Sequence, residues 1–366
     1  LYYLSLTKNN LQAVIILKRI KKLVSLSCVL LLSLGFMSGC SKKENSSKVI
    51  NVFNCADYID EDLISKFEEE TGYTVNYSTY DTNENMYSKL TSGSTSYDLV
   101  FPSDYMIEKL ISENLADEIN YNNIPNYKYI GDEFKNLSFD PENKYSVPYM
   151  WGTIGIIYDP EFTGEEITSW NALWDKKYKG EVLIFNSVRD SIGLALKRLG
   201  YSMNTTNAEE IKEATDSLIE LKANKITKAW VVDEVKDMMI SGEAAIATVW
   251  SGDANYILSE NPNLVYVVPE EGSNKWYDSM VIPKTATNKE GAEAFINFLC
   301  DPENALENVE YIGYYTPVIK AYEALPEDIK ENYPSKETLD NCEIFHNPSK
   351  STLEILNDEW IRIGSY

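Results

Sequence analysis

The chain has 366 residues, 44% hydrophobic and 12% aromatic, with 33 basic and 57 acidic side chains and a net charge of −24. That hydrophobic content supplies a real core and excludes intrinsic disorder, while so negative a field repels nucleic acid and anionic lipid and draws cations. There is one histidine, His346, and no HExxH, P-loop or GxGxxG pattern, so the usual catalytic and nucleotide-binding constellations are missing and no cofactor is expected. No metal is expected either, because Asp57, Asp60, Glu61 and Asp62 lack the spacing and the glycine of a calcium loop.

Residues 1–39 carry Lys8, Lys18, Arg19, Lys21 and Lys22 and no acidic residue, and an apolar run from Leu23 to Met37 is broken only by small residues such as Ser25, Ser27 and Ser33. A basic stretch followed by a short apolar one reads as a secretory signal; the run is too short and too rich in serine for a stable membrane span. Ser38-Gly39-Cys40 at its end resembles a bacterial lipobox. That resemblance implies cleavage before Cys40 and a lipid on its sulfur; the alternative is an N-terminal membrane anchor with an incidental cysteine. Residues 40–48 are polar and read as a flexible tether. A lipidated Cys40 would hold the protein at the outer face of the cell membrane, on the periplasmic side if an outer membrane exists. Loss of residues 1–39, with five positive charges and no negative one, takes the net charge from −24 to −29. Of five cysteines, Cys28 falls in the signal and Cys40 in the lipobox; Cys55, Cys300 and Cys342 form no CxxC and are expected as free thiols.

Beyond the tether, residues 48–54 alternate as a strand. Residues 57–70 carry Ile59, Leu63, Ile64 and Phe67 at helical spacing and stop at Gly72; residues 73–80 form a second strand. A short helix over 86–90, a buried strand over 97–101 ending at Pro102, and a helix over 105–114 follow. This alternation predicts a parallel α/β sheet. The pattern restarts with a strand over 182–185, helices over 192–199, 208–223 and 235–241, and strands over 244–250, 264–268 and 279–282. A helix over 290–300 follows. Two α/β units of this kind predict two lobes.

An ordered series of segments carries a family resemblance: Tyr77–Leu90, Tyr97–Ser103, Tyr145–Gly152, Ser169-Trp170-Asn171-Ala172-Leu173-Trp174, Lys177–Gly180, Leu199–Thr206 and Ile312-Gly313-Tyr314-Tyr315-Thr316-Pro317. From about Val49 to the C-terminus the chain resembles the polyamine-binding branch of the extracytoplasmic solute-binding proteins, which feed ATP-driven importers. The resemblance implies an α/β, two-lobed periplasmic-binding-protein-like fold of type II with a hinge between lobes. Residues 49–153 plus about 279–315 would form lobe 1, and 154–278 plus about 316–366 lobe 2. It also implies a monomer that binds a polyamine and hands it to a membrane permease.

A polyamine is an alkyl rod with an ammonium at each end. Its methylenes need aromatic walls and its ammoniums need carboxylates. The resemblance places Trp276 against the methylenes and Asp278 on an amine; in an extended segment the two share a face. Trp250 matches a wall, and Asp253 an acidic residue of putrescine-preferring relatives, with a helix N-cap as its alternative reading. In the first loop Asp57 and Tyr58 stay in register, with helix capping and a hydrophobic staple as alternatives. Cys55 stands where relatives carry tryptophan. Ser103 and Tyr105 match a ligand-contacting pair whose alternative is a plain turn. Asp190 matches a carboxylate, and Ser187 stands where spermidine-preferring members have a second one, which favours putrescine over spermidine. Tyr314 matches a lining tyrosine, with core packing as the alternative. The rivals are another cationic amine or small solute on the same fold, and a cell-surface enzyme.

Overall fold

The computed structural model of the protein describes residues 48–366 apart from Asp57. The expected signal, Cys40 and all of the tether but Lys48 lie outside the described residues, as does Asp57.

Strand β1 (Val49–Cys55) pairs in parallel with β2 (Thr74–Tyr80) on one side and with β3 (Leu99–Val100) on the other. The crossover helix Glu61–Thr71 buries Leu63 and Phe67, four residues apart on one face. Its start is fixed by Asp60, whose carboxylate accepts from Asp62 N at 3.0 Å, and its end by Gly72 at φ +70°. The helix therefore begins later than the expected 57, because Asp60 takes the cap.

Strand β4 (Ser146–Tyr158) is buried over all 13 residues and joins the two halves. The second half repeats the parallel pattern: β5 (Val182–Phe185) lies between β6 (Thr227–Val231) and β7 (Ile246–Trp250), parallel to both. β8 (Val265–Val267) pairs with β4, and β9 (Lys275–Val281) returns antiparallel to β4 over residues 146–153. From Ile154 onward β4 pairs instead with β7. The resulting strand order is β2-β1-β3-β9-β4-β7-β5-β6, with β8 off this path. A register shift between Pro148 and Met150 interrupts the β4–β9 ladder where Pro148 has no N–H to donate.

Each half has its own core. Ile50, Phe53, Phe67, Leu99, Phe101 and Phe295 belong to the first; Trp170, Ile184, Ile192, Leu218, Ile246 and Leu356 belong to the second. A smaller cluster, with Leu183, Met239, Val249 and Ile257, covers the other face of the second half. Val318, Ala321 and Leu325 pack in the first core, although a boundary at about 316 would assign them to the second lobe; Leu356 and Ile363 do pack in the second.

Asp98 clamps the first half. It is fully buried, and its oxygens accept from Asn51 N at 2.8 Å, Thr287 N at 2.7 Å and Asn288 N at 2.8 Å. Asp98→Ala would leave three backbone donors without their acceptor, at about 1–3 kcal/mol for a buried unsatisfied group. Urea unfolding should show a loss of about 3 kcal/mol or more; a loss under ~1 kcal/mol would contradict this role for Asp98.

Candidate ligand-binding site

The carboxyl ends of the parallel strands point to the junction of the two halves, the usual place for ligand in open α/β sheets. Cys55 ends β1, Ser103 follows β3, Ser187 follows β5 and Trp250 ends β7. β9 crosses this junction. Its extended backbone puts Trp276 and Asp278 on one face, while Tyr277 is buried on the other.

Asp278 is the centre of the arrangement. It pairs by an isolated antiparallel bridge with Ser103 and by strand register with Met150. The Tyr58 hydroxyl donates to its Oδ2 at 2.7 Å. Its Oδ1 is buried and has no hydrogen-bond partner among the described residues, and no Lys, Arg or His there lies in ion-pair range. Burial pushes the carboxyl up to about 6, against the opposing pull of the Ser103 and Tyr58 hydroxyls. Burial and the Asp278 charge hold the Tyr58 phenol well above its ordinary value, so it remains a donor.

Aromatic rings wall this carboxylate. Trp276 meets Tyr314 edge-on at 5.1 Å, and Tyr314 meets Tyr58 edge-on at 5.7 Å. The Trp276 Nε1 is also buried without a partner among the described residues. Two glycines make the wall possible. A Cβ on Gly152 would stand 2.4 Å from the Trp276 ring and 2.6 Å from Ser251 Oγ; one on Gly252 would stand 2.3 Å from the Tyr314 ring. Asn255 pins the segment before Tyr314 by donating to Gly313 O at 2.8 Å. Trp250 packs on Phe185 at 4.5 Å.

The remaining candidates fall around this centre. Ser103 occupies the N-cap position of the helix Asp104–Ser112 without a capping bond from its side chain; its Oγ accepts instead from Asn83 Nδ2 at 3.0 Å. Tyr105 donates to Glu84 at 3.0 Å. Ser187 takes the N-cap position of the helix Val188–Arg198, and its hydroxyl faces Asp190. Burial pushes Asp190 up to about 6, against Ser187 and the charge of Arg189. Asp253 lies in the first turn of the helix Ser251–Glu260, where Trp250 holds the N-cap position and Asp253 makes no capping bond. It pairs with Lys236 at 3.6 Å. Cys55 is half-buried beside Asp278; burial and then the Asp278 charge push its thiol up to about 12. Cys55, Cys300 and Cys342 are unpaired. His346 lies apart, against Glu108 at 3.4 Å. Among the described residues no group of three or more His, Cys, Asp or Glu side chains is arranged to hold a metal.

Gly152, Gly252, Asn83, Asn255 and Lys236 escape sequence reasoning. Only the Trp276-to-Gly152 register and the Tyr314-to-Gly252 contact reveal the glycines, and Lys236 enters from a helix that carried no site expectation.

Comparison with known proteins places this geometry. The model of the bacterial extracellular solute-binding protein family matches residues 62–337, and the chain belongs to that family. The spermidine/putrescine-binding periplasmic protein of Salmonella typhimurium is 38% identical over 317 residues, covering 85% of this chain and 90% of the relative. A putrescine-binding periplasmic protein of Pseudomonas aeruginosa is 31% identical over 354 residues, covering 90% and 95%. Among solved structures, a spermidine/putrescine transporter substrate-binding protein of Streptococcus pneumoniae superposes with a TM-score of 0.79 at 44% identity, covering 87% of this chain and 99% of its own. The two-lobed α/β fold expected from the sequence is the fold of these binding proteins.

Because only the absence of a Cβ at Gly152 leaves room for the Trp276 ring, Gly152→Ala should displace the indole and weaken ligand binding by ~tenfold or more, equivalent to ~1.4 kcal/mol, with little loss of secondary structure by circular dichroism. Unchanged affinity would show that Trp276 does not line the site.

Proposed function

We propose that the protein captures a polyamine between its two lobes and delivers it to a membrane permease of an ATP-driven importer. The observation that carries this reading is Asp278: a carboxylate with one oxygen unpartnered among the described residues, no cation beside it, and Trp276, Tyr314 and Tyr58 around it. A buried ionised group needs a partner. An alkylammonium supplies both the positive charge for Asp278 and the methylenes for the rings. The names of the relatives agree with this chemistry. Ser187 in place of a second carboxylate favours putrescine over spermidine. The ligand would touch Ser103, Tyr105, Asp190, Trp250, Asp253 and Asp57 as well, and closure of the lobes would follow from a dication bridging both walls. The lobes would divide within β4 near residue 153, the first reclaiming the chain from about 279. The role is capture without chemistry; a monomer held outside the cytoplasm by a lipid on Cys40 completes the proposal.

Calorimetry of the purified protein against putrescine, spermidine, spermine, cadaverine and arginine tests it. One-to-one binding, tighter for putrescine than for spermidine, is expected. Asp278→Asn should cost about 2–5 kcal/mol, a loss of ~30-fold or more. No heat with any polyamine from folded, ligand-free protein would leave the family and remove the ligand.

The pH dependence follows from the raised carboxyl. Asp278 goes from 3.8 to about 6 on folding, so across that window the folded protein holds a proton the unfolded chain has released, and ligand-free stability falls as pH rises through it. A cation needs the ionised form, while the amine stays charged. Affinity should therefore be full above about pH 6 and fall by up to ~tenfold per pH unit below it for one linked proton. A flat profile from pH 7 to 5 would contradict the assignment of Asp278.

A further inference from the structure

Three of the carboxylates expected to meet ligand, Asp278, Asp190 and Asp253, are treated differently by the fold. Asp278 has no cation beside it among the described residues. Asp190 has Arg189 as its neighbour, but that guanidinium turns away to lie 4.3 Å over the Phe345 ring and 5.7 Å over Tyr105. Asp253 has a partner of its own: Lys236 Nζ stands 3.6 Å from Asp253 Oδ1, with side chains only 33% and 14% exposed. The two come from different elements, Lys236 from the helix Glu234–Ile240 and Asp253 from the first turn of the helix Ser251–Glu260. No other hydrogen-bond or ion-pair partner of Asp253 occurs among the described residues.

A lysine side chain is a primary ammonium on a four-carbon chain, chemically the same head as the end of an alkyl diamine. At 3.6 Å the contact is loose, longer than the 2.7–2.9 Å of a charge-assisted hydrogen bond. Two ammoniums cannot share Asp253 without mutual repulsion, so a ligand amine and Lys236 compete for it.

We infer that Lys236 is a specificity-determining residue: its ε-ammonium holds Asp253 as an internal stand-in for a ligand amine, and a ligand reaches that carboxylate only by displacing it. The inference rests on the polyamine reading of the site. Lys236 thereby handicaps amines that need Asp253 and leaves Asp278 and Asp190 as the carboxylates without an ion pair among the described residues. Asp253 alone, as a matched carboxylate, suggests a ready-made ammonium site; the pair makes it an occupied one.

The test is a mutant cycle on Lys236→Met and Asp253→Asn, each titrated with putrescine and with spermidine, with Lys236→Gln as a second replacement should the methionine variant fold poorly. Removing the ammonium should raise the affinity for at least one of the two amines by fivefold or more. The penalty of Asp253→Asn should be at least fivefold larger in the Lys236→Met background than in the wild type. If wild type binds a polyamine and neither lysine replacement moves its affinity by more than twofold, or both lower it, Lys236 merely orders Asp253 and the inference falls alone. If neither wild type nor variant binds any polyamine, the reading of the site and the inference fall together.

Discussion

One carboxylate, Asp278, with a buried oxygen unpartnered among the described residues, organises the candidate site. Asp278 is fixed on three sides: β9 pairs with β4 behind it, Ser103 bridges it from the end of β3, and Tyr58 donates to Oδ2 at 2.7 Å. Those contacts set its place but do not discharge it, since desolvation outweighs the two hydroxyls and the carboxyl rises to about 6. The electrostatic cost of this carboxylate is thus carried by the fold. Under the proposed function a cation entering there would supply the counter-charge, which is the sense in which such a site would be preorganised.

The rest of the architecture gathers aromatic rings around that carboxylate. β4 serves both halves, pairing with β9 up to Thr153 and with β7 from Ile154. Trp276, opposite Gly152 in that register, therefore lies where the halves meet. The Trp151–Tyr315 bridge brings Tyr314 to the same place, and Gly252 lets its ring settle on the start of the helix Ser251–Glu260. Close approach, more than any special backbone conformation, explains both glycines: a methyl at either would collide with a ring that cannot fold away. Among the described residues Lys236 pairs with Asp253 and Arg189 lies over Phe345 and Tyr105, and neither is in ion-pair range of Asp278.

Much of the fold is legible in the sequence because its strands and helices follow simple periods. Leu63 and Phe67 announce the first crossover helix, and the β-rich runs at 48–54 and 73–80 become β1 and β2. The strand over 279–282 is read short: β9 starts at Lys275, since polar residues such as Lys275 and Asp278 break the apolar signal although the ladder to β4 continues through them. β6 escapes notice because its residues are half-buried or exposed and lack a clean alternation. That Val318 and Leu325 join the first core is likewise invisible, because an apolar residue does not say which core it faces. At the site, the family resemblance carries the reading: it singles out Trp276 and Asp278, two apart on an extended segment, and Tyr314 at a lining position. The partners that tune them, Tyr58 to Asp278 across 220 positions and Lys236 to Asp253 from a neighbouring helix, depend on tertiary approach.

The most direct test of the central claim is the ionisation of Asp278 itself, followed by carboxyl carbon NMR in the ligand-free and putrescine-saturated protein, with Asp278→Asn to assign the resonance. A midpoint near 6 without ligand that drops by at least one pH unit on saturation would show that the bound cation supplies the missing counter-charge. A midpoint that stays where it was on saturation would show that the ligand's charge is met elsewhere and that Asp278 is not its anchor.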